Sequence, residues 1–547
     1  MENNQTKEKL LAEIDRLKKE LKKKKKYGLV WEDKPEDVVE MCKEKTPVLK
    51  EVKSKEIITD KNKPVNLLIE GDNYHALSVL NYTHKGKIDV IYIDPPYNTG
   101  NKDFVYNDRY IDKEDGYRHS KWLSFMGKRL KLAKNLLKDT GIIFISIDDN
   151  EVGQLKVLMD DKNYGLFGEA NFVAQFIWNK KTGRQNDARF VSTNHEYILC
   201  YLKDSNKGEI NLLPRTEELN NSYKNPDNDP RGPWTSVTLQ AKSGTEANVY
   251  EIIFPNKNKW KPPRGTYPKF RKDKLLELYH DNRIWFGEKG KNVPRLKKFL
   301  SEVQQGLIPN TLLMADEVGN TQRAKEDYKK VLANINFDNP KPLQLIKYLG
   351  IIGGNKNATV LDFMAGSGTT GHAILELNQS DDGNRKFILC TNNENKICEE
   401  VTYPRILKVI KGYKNLKGEK IEGLGGNLKY FKTDFVDYKE STDKNKIKLT
   451  KEAVEMLCVK EGTFESVLNN EDFKIFKNHD NYTGIIFDQL AIEDFKKAVK
   501  DIKGKISVYV FSLGDDSFED EFEDIKQKVK LSPIPEAILK VYRRIYK

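Results

Sequence analysis

Residues 91–100 read IYIDPPYNTG, an apolar strand-like run that ends in Asp94, two prolines and Tyr97. A strand that ends in this way places the four side chains in the crevice where open α/β sheets bind ligands. Proline fixes the backbone and lacks an N–H, so the Asp94 carboxylate and the Pro95 carbonyl can both accept hydrogen bonds from one small amino group. Tyr97 offers a flat face for a base. The pattern favours recognition of an exocyclic amine over the alternative, a plain strand exit punctuated by proline.

A second motif, LDFMAGSGTTG at residues 361–371, follows the strand-like run 358–361 and precedes a predicted helix. Glycines in this position let the backbone approach a ligand and point helix N–H groups at it. Gly366, Gly368 and Gly371 also satisfy the dinucleotide pattern GxGxxG, with Glu394 near the place of a ribose-binding acid, so a nicotinamide or flavin site stays open. A P-loop is disfavoured because no Gly-Lys-[Ser/Thr] follows. The corner at Asp94 favours a methyl donor, since a dehydrogenase has no evident use for it.

The motifs lie in an alternation of apolar runs and helical stretches that begins near residue 65. This alternation predicts βαβ units and a mostly parallel sheet. Residues 206–330, rich in Asn, Pro, Gly, Lys and aromatics, interrupt it as an inserted domain. The predicted divisions are a basic coiled-coil helix at 1–28, a catalytic half at 29–205, the insert at 206–330, a cofactor-binding half at 331–437 and a C-terminal domain at 438–547.

The composition sets broad limits on function. The 547 residues carry 94 Lys and Arg against 82 Asp and Glu, a net charge of +12 that is compatible with a polyanionic partner. The five cysteines are scattered without a CxxC pair, so we expect neither a disulfide framework nor a metal site. The sequence has no membrane-length apolar run and no apolar signal region. A cytoplasmic protein without membrane contact is expected.

Together the two motifs resemble the amino-methyltransferases of DNA, in the order of their circularly permuted β group. The chain as a whole resembles the modification subunit of type III restriction-modification systems. This resemblance implies an α/β, Rossmann-like class I methyltransferase fold with an inserted target-recognition domain and a C-terminal α+β domain. The implied cofactor is S-adenosylmethionine. Asp94 at the first catalytic position goes with N6 of adenine in that family, whereas serine there usually goes with N4 of cytosine.

The resemblance also carries residue roles onto this sequence. It implies that residues 194–197 support the target-base pocket, although His195 is equally well explained as a structural histidine. The catalytic residues implied are Asp94, Pro95, Pro96 and Tyr97. The cofactor-binding residues implied are Asp72, Asp94, Pro340, Lys341, Pro342, Asp362, Phe363, Ala365, Gly366, Ser367, Gly368, Thr369, Thr370 and Glu394.

Double-stranded DNA is the expected substrate, and Arg side chains in the insert are candidates for reading guanine edges. For any single basic residue a phosphate contact or plain solvation is the commoner role. The resemblance implies a homodimer that works beside a helicase-nuclease restriction subunit. A stand-alone methylase, a non-catalytic nucleic-acid-binding or nicotinamide-binding protein and an RNA substrate stay open as alternatives. The predicted DNA-binding residues are Asn98, Lys180, Arg184, Trp234, Arg264, Arg283 and Arg295.

Overall fold

A computed structural model describes residues 34–101, 103–107, 109–162, 164–184, 190–415, 417–437, 443–479, 481–514, 516 and 518–546. The predicted coiled-coil helix at 1–28 lies outside the described residues. The described chain divides into two compact units. Unit 1 comprises the described residues within 1–209, 312–347 and 356–547, and unit 2 comprises Ile210–Thr311 and Tyr348–Asn355.

The strands are listed here in chain order. They are β1 (Lys45–Glu51), β2 (Val65–Glu70), β3 (Ile88–Ile93), β4 (Val105–Tyr106), β5 (Arg109–Tyr110), β6 (Leu137–Ile147), β7 (Phe172–Asn179), β8 (His195–Leu202), β9 (Trp234–Thr238), β10 (Gln240–Ala241), β11 (Ile252–Ile253), β12 (Lys259–Trp260), β13 (Tyr267–Pro268), β14 (Ile284–Trp285), β15 (Arg295–Phe299), β16 (Leu312–Leu313), β17 (Thr359–Asp362), β18 (Lys386–Thr391), β19 (Gly412–Lys414), β20 (Lys420–Glu422), β21 (Asn427–Asp437), β22 (Glu465–Asn469), β23 (Phe473–Asn478), β24 (Asn481–Ile486), β25 (Lys505–Phe511) and β26 (Val529–Ile534).

The α-helices follow the same order. They are α1 (Asp37–Glu44), α2 (Asn73–Thr83), α3 (Arg118–Leu136), α4 (Val152–Asp160), α5 (Glu217–Asn221), α6 (Lys272–His280), α7 (Ala315–Val318), α8 (Thr321–Val331), α9 (Leu343–Gly353), α10 (Thr369–Asp381), α11 (Tyr403–Lys411), α12 (Asp443–Glu452), α13 (Val454–Glu461), α14 (Ile492–Ala498) and α15 (Glu536–Ile545). None of the helices in the described ranges is both long and apolar enough to cross a lipid bilayer.

The main sheet of unit 1 has, among the described residues, ten strands in the order β1-β21-β2-β18-β17-β3-β6-β8-β7-β16. Pairing is parallel from β21 through β6, and β8 runs antiparallel to both of its neighbours. The central strands are mostly buried and apolar, since β3 is interrupted only by Asp89 and β6 is buried from Gly141 to Ile147, as expected of strands that are covered on both faces. The predicted α/β fold with a mostly parallel sheet is confirmed.

The two motif-bearing strands are neighbours in this sheet although they lie far apart in the chain. Val360 and Leu361 of β17 pair in parallel with Val90 and Ile91 of β3. The loops that follow these strands therefore leave the same edge of the sheet side by side. This non-sequential strand order is the one expected of a circularly permuted fold.

Unit 2 has its own small core and a three-stranded antiparallel sheet in the order β14-β15-β9. Its limits differ from the predicted insert at 206–330, because residues 312–330 belong to unit 1. Here Leu313 of β16 is buried and pairs with Trp178 of β7. The buried apolar side chains of unit 2 include Leu239, Ile252, Phe254, Trp260, Leu275, Ile284 and Phe286.

The C-terminal segment forms a five-stranded sheet in the order β22-β23-β24-β25-β26, with helices packed on it. It belongs to unit 1 rather than to a unit of its own, because α15 and α2 share one apolar core that includes Ile538 and Leu77. The Tyr542 hydroxyl of α15 also donates to the Pro47 carbonyl of β1 at 2.7 Å. The α and β content agrees with the predicted C-terminal α+β domain, and its role stays a prediction.

Candidate active site

The Asp94 corner is the loop that follows β3, and it is fixed from below. Trp122 of α3 is fully buried, and its Nε1 donates to the Pro96 carbonyl at 2.7 Å. The chain then turns through Asn98, whose φ of 57° lies in the left-handed region. The described residues donate no hydrogen bond to the Pro95 carbonyl. The corner is therefore rigid, and it keeps one acceptor available beside Asp94.

The Asp94 carboxylate is held by a lysine from a distant part of the chain. Lys341 Nζ lies 2.8 Å from each of its two oxygens and 2.9 Å from the Tyr97 hydroxyl oxygen. The Tyr97 hydroxyl lies 2.9 Å from Asp94 Oδ1 and can donate to it. The sequence analysis predicts Lys341 as a cofactor ligand, but the structure places its ammonium on the Asp94 carboxylate. The spacing of residues within the motifs does not predict this pairing, because Asp94 and Lys341 are 247 residues apart in the chain.

A second carboxylate, Glu196 of β8, lies beside this pair. Its Oε2 is 3.1 Å from the Tyr97 hydroxyl and 3.6 Å from Lys341 Nζ. Its Oε1 accepts from Lys180 Nζ at 3.0 Å. The sequence analysis assigns residues 194–197 to pocket support but gives Glu196 no role of its own. In the sheet, β6 lies between the strand of Glu196 and the motif strand β3, so the sequence signal for this acid is limited to its place within residues 194–197.

Burial and charge pull the pKa values of these groups in opposite directions. Burial raises the pKa of Asp94, and the Lys341 ammonium limits that rise. Burial alone would also raise the pKa of Glu196, but Lys341 and Lys180 outweigh it and bring the pKa below its usual value. Desolvation tends to lower the pKa of Lys341, yet Asp94 and Glu196 raise it overall. Two acids and two bases thus form one charged, mutually stabilised cluster.

The floor of the corner is a separate polar cluster. Asn98 Nδ2 donates to Glu151 Oε1 at 2.5 Å, and His119 Nδ1 lies 2.7 Å from the same oxygen. Burial raises the pKa of Glu151 to about 8. Asn98 was a predicted DNA contact, but its side chain is fully buried and engaged inside the protein. Its structural role is to hold the turn after Tyr97.

The glycine loop follows β17, and its exposed groups are backbone atoms rather than charged side chains. Gly366 and Gly368 have φ values of 48° and 75°, which side-chain-bearing residues rarely adopt. Gly368 caps the N-terminus of α10. The Thr402 hydroxyl donates to the Gly366 carbonyl at 2.6 Å and fixes the loop from behind. These features give the loop the open backbone that the motif predicts.

The polar side chains of this loop turn inward. Arg405 Nη1 donates to Thr369 Oγ1 at 2.8 Å and to Ser367 Oγ at 3.1 Å. The Thr370 hydroxyl donates to Asp362 Oδ2 at 2.6 Å, and burial raises the pKa of Asp362 to about 7. Ser367, Thr369, Thr370 and Asp362 were predicted to bind the cofactor. Their side chains shape the loop, so a ligand would meet their backbone atoms.

Both loops open onto one cavity of about 930 Å³, which is lined by Pro96 from the corner and Gly366 from the glycine loop. Volumes of this size are typical of pockets for cofactor-sized molecules. Several carboxylates and aromatic rings surround the space. The lining includes Glu36, Asp72, Phe104, Phe125, Phe337, Asp338, Phe363 and Glu394. The Asp94 corner and the glycine loop are therefore adjacent. Loops on opposite faces of the molecule would not have been compatible with one site.

The other predicted cofactor residues lie around the same cavity or support it. Asp72 lines the cavity and caps α2 by accepting from the Tyr74 N–H at 2.7 Å. Glu394 is exposed at its rim, three residues after the end of β18. Pro340 and Pro342 are buried on either side of Lys341, and the Ala365 N–H donates to the Cys390 carbonyl at 3.1 Å.

The predicted DNA contacts differ widely in accessibility. In unit 1, Lys180 forms an ion pair with Glu196, and Arg184 is exposed.

In unit 2, Trp234 is buried, and its Nε1 donates to Asp227. The Arg283 guanidinium is paired with Glu302 and Asp281. Arg264 and Arg295 are exposed, and Arg295 Nε donates to Ser236 Oγ at 2.8 Å.

Comparison with known proteins agrees with this geometry. Residues 88–402 match the model of a family described as DNA methylase. The StyLTI type III Mod subunit of Salmonella typhimurium is 36% identical over 394 residues, covering 66% of this chain and 58% of that relative. The EcoP15I type III Mod subunit of Escherichia coli is 31% identical, covering 59% of this chain and 58% of its own length. The type II methyltransferase M.KpnI of Klebsiella pneumoniae is 31% identical, covering 68% of this chain and 88% of its own length.

The chain therefore spans somewhat more than half the length of the Mod subunits that it matches. The family model, by contrast, matches more than half of this chain, and the match to M.KpnI extends over most of that relative. On these grounds the chain belongs to the DNA methylase family.

Proposed function

We propose that this protein transfers a methyl group from S-adenosylmethionine to N6 of adenine in double-stranded DNA. One observation carries the proposal: the Asp94 corner and the glycine loop follow adjacent parallel strands and open onto a single cavity. An amine acceptor site and a cofactor-sized space then face each other. A nicotinamide enzyme needs only the second of these features.

The residues around the cavity fit S-adenosylmethionine. The carboxylates of Asp72 and Glu394 suit the amino and hydroxyl groups of an adenosine, and the rings of Phe337 and Phe363 supply apolar walls. A Cβ at Gly366 would lie 3.4 Å from the Phe337 ring, so glycine keeps this part of the cavity open. When bound, the cofactor supplies an electrophilic methyl group on a sulfonium sulfur. The acids of the lining also match its positive charge.

The residues of the corner orient the amine and stabilise its charge. The Asp94 carboxylate and the Pro95 carbonyl accept the two hydrogens of N6, which leaves the nitrogen lone pair facing the cavity. As positive charge develops on N6, the Asp94 carboxylate stabilises it and can accept the departing proton. The Tyr97 ring offers a stacking surface. Adenine in a duplex cannot reach this position, so the base must leave the helix at a cost of about a few kcal/mol.

The base and the position of methylation can be tested together. The purified chain is incubated with DNA and S-adenosylmethionine carrying a labelled methyl group, and the DNA is digested to nucleosides for mass spectrometry. N6-methyldeoxyadenosine is the expected product. N4-methyldeoxycytidine would contradict the choice of base, and unlabelled DNA would contradict the function.

We further propose that the protein works as a homodimer beside a helicase-nuclease restriction subunit. The similarity to type III Mod subunits supports this assignment. A stand-alone methylase is the second candidate, and the longer coverage of M.KpnI favours it. Long-read sequencing of DNA from cells that express this chain alone would report the modified sequence. The mass of the purified protein, alone and with the product of a neighbouring gene, would distinguish the two assemblies.

Unit 2 is the proposed target-recognition domain. Its exposed arginines, Arg264 and Arg295, are the residues that stay accessible to DNA among those we predicted there. Lys180 and Arg184 of unit 1 are proposed to contact the phosphate backbone near the flipped base. The five cysteines are buried and free, which agrees with the proposed location in the reducing cytoplasm.

A further inference from the structure

Lys341 takes the place on Asp94 that a substrate amine needs. An ammonium group has three hydrogens, and Lys341 Nζ lies within 2.9 Å of three oxygens: both of Asp94 and that of Tyr97. An incoming exocyclic amine requires at least one of the Asp94 oxygens. Lys341 must therefore give up part of this contact before adenine can bind as proposed.

The displaced ammonium still needs a negative partner. The Lys341 side chain is only 9% exposed, so water cannot fully replace a lost carboxylate. Glu196 is the carboxylate next to it, with Oε2 at 3.6 Å from Nζ. A shift of less than about 1 Å would convert this ion pair into a hydrogen bond.

Glu196 is well placed to receive that charge without moving. Its Oε1 is anchored by Lys180 at 3.0 Å, and its Oε2 lies 3.1 Å from the Tyr97 hydroxyl. It sits on β8 opposite Trp178 of β7, within the ladder of the main sheet. Glu196 is not part of the lining of the cofactor cavity. Its charged contacts are with Lys341 and Lys180, so its charge acts on Asp94 through Lys341.

We propose that Glu196 is a positioning residue that takes the Lys341 ammonium when the target amine binds Asp94. This inference rests on the proposed methylation of adenine. Without the Glu196 charge, Lys341 stays on Asp94 and competes with the substrate amine. With it, Lys341 moves between two carboxylates and remains paired throughout.

The test compares two DNA duplexes that carry the methylated sequence and differ at the target base. One has adenine there and the other has purine, which lacks the exocyclic amine and so does not need Lys341 to move. Binding of each duplex is measured for the wild type, Glu196→Gln and the control Glu461→Gln. Glu461 is matched because its Oε1 also accepts a tyrosine hydroxyl, that of Tyr509 at 2.6 Å.

Glu196→Gln should lower the preference for adenine over purine by about tenfold, the size expected for a lost charged hydrogen bond. Cofactor affinity should stay within about twofold of the wild type, and Glu461→Gln should leave the preference unchanged. In a Lys341→Met background, where no ammonium competes, Glu196→Gln should change the preference by less than about twofold.

Equal weakening of both duplexes would overturn the inference, because it would show a purely structural role. An unchanged preference, together with normal methyl transfer, would also overturn it while leaving the proposed function intact. A wild-type chain that transfers no methyl group to DNA would overturn both.

Discussion

The loops after β3 and β17 leave neighbouring strands of one sheet, yet they handle charge in opposite ways. The acid of the corner after β3 is paired with side chains from elsewhere in the fold, since the Asp94 carboxylate accepts hydrogen bonds from Lys341 and Tyr97. The loop after β17 turns its acid inward, so that Asp362 meets Thr370 and the pocket faces bare backbone. Under the proposal above, the acid of the first loop changes its partner when the substrate amine binds. The second loop needs no such change, because its acid is already paired inside the protein.

The largest effect is expected from removing the exchangeable charge. Asp94→Ala should lower kcat by at least about 10³-fold, because the amine loses both its orientation and its charge stabilisation. Cofactor affinity should stay within about threefold of the wild type, since Asp94 is not among the residues that line the cavity. Methyl-transfer assays and calorimetric titration measure the two quantities. Near-normal turnover of Asp94→Ala would break the comparison.

The glycine loop should show the reverse pattern. Gly366→Leu places a side chain beside the Phe337 ring and should weaken cofactor binding by at least about tenfold, or about 1.4 kcal/mol. Turnover at saturating cofactor should fall much less. Gly86→Leu is the matched control, because Gly86 also has a positive φ, 66°, but has no atom within 4 Å of the added Cβ. Equal cofactor affinity in both variants would argue against a ligand at Gly366.

The acids beneath the two loops predict a difference in pH dependence. Glu151 has a pKa raised from 4.5 to about 8, and Asp362 one raised from 3.8 to about 7. Each group stabilises the fold most below its unfolded pKa, and this stabilisation is lost as the pH rises through the folded pKa. Glu151→Gln should therefore flatten the fall in Tm up to about pH 8, and Asp362→Asn only up to about pH 7.

The expected change is about 1–3 °C over the window, measured as thermal midpoints between pH 5 and 9. If Tm fell with pH equally steeply in the wild type, Glu151→Gln and Asp362→Asn, this result would contradict the raised pKa values. A flattening confined to one variant would locate the effect in one loop.

The smallest expected effect is on the DNA affinity of unit 2, where Arg264 is exposed and Arg283 is paired with two acids. Arg264→Ala should weaken DNA binding about two- to threefold and reduce the salt dependence by about one charge. Arg283→Ala should instead lower the stability of unit 2, because Arg283 joins Asp281 to Glu302. Binding titrations at several salt concentrations test the first statement. An unchanged salt slope for Arg264→Ala would remove it from the proposed DNA surface.

The sequence predicts what short stretches of chain determine. The strand-to-loop turns after β3 and β17 follow from local patterns whose backbone chemistry is fixed by Pro95, Pro96, Gly366 and Gly368, and the permuted order is what the resemblance to the amino-methyltransferases of DNA implies. Pairings between distant side chains do not follow in this way. Lys341 on Asp94 and Lys180 on Glu196 depend on which strands become neighbours, and no spacing rule encodes that.

Composition was the weakest guide. The aromatic and basic residues of the insert suggested a DNA surface, but Trp234 and Lys297 are buried in unit 2. The Lys297 ammonium pairs with Asp227 and Asp229 there. The prediction that Asn98 contacts DNA is wrong for a related reason, because its position beside Asp94-Pro95-Pro96-Tyr97 says nothing about the direction of its side chain.

A crystal structure of the protein with S-adenosylhomocysteine and a duplex carrying its target adenine would test the central claim most directly. We predict that the sulfur lies in the cavity at Gly366 and faces N6, with enough room between them for one methyl group. N6 should be hydrogen-bonded to Asp94 and the Pro95 carbonyl, at about 2.7–3.2 Å. A sulfur in another cavity, or a target base bound away from Asp94, would contradict the account.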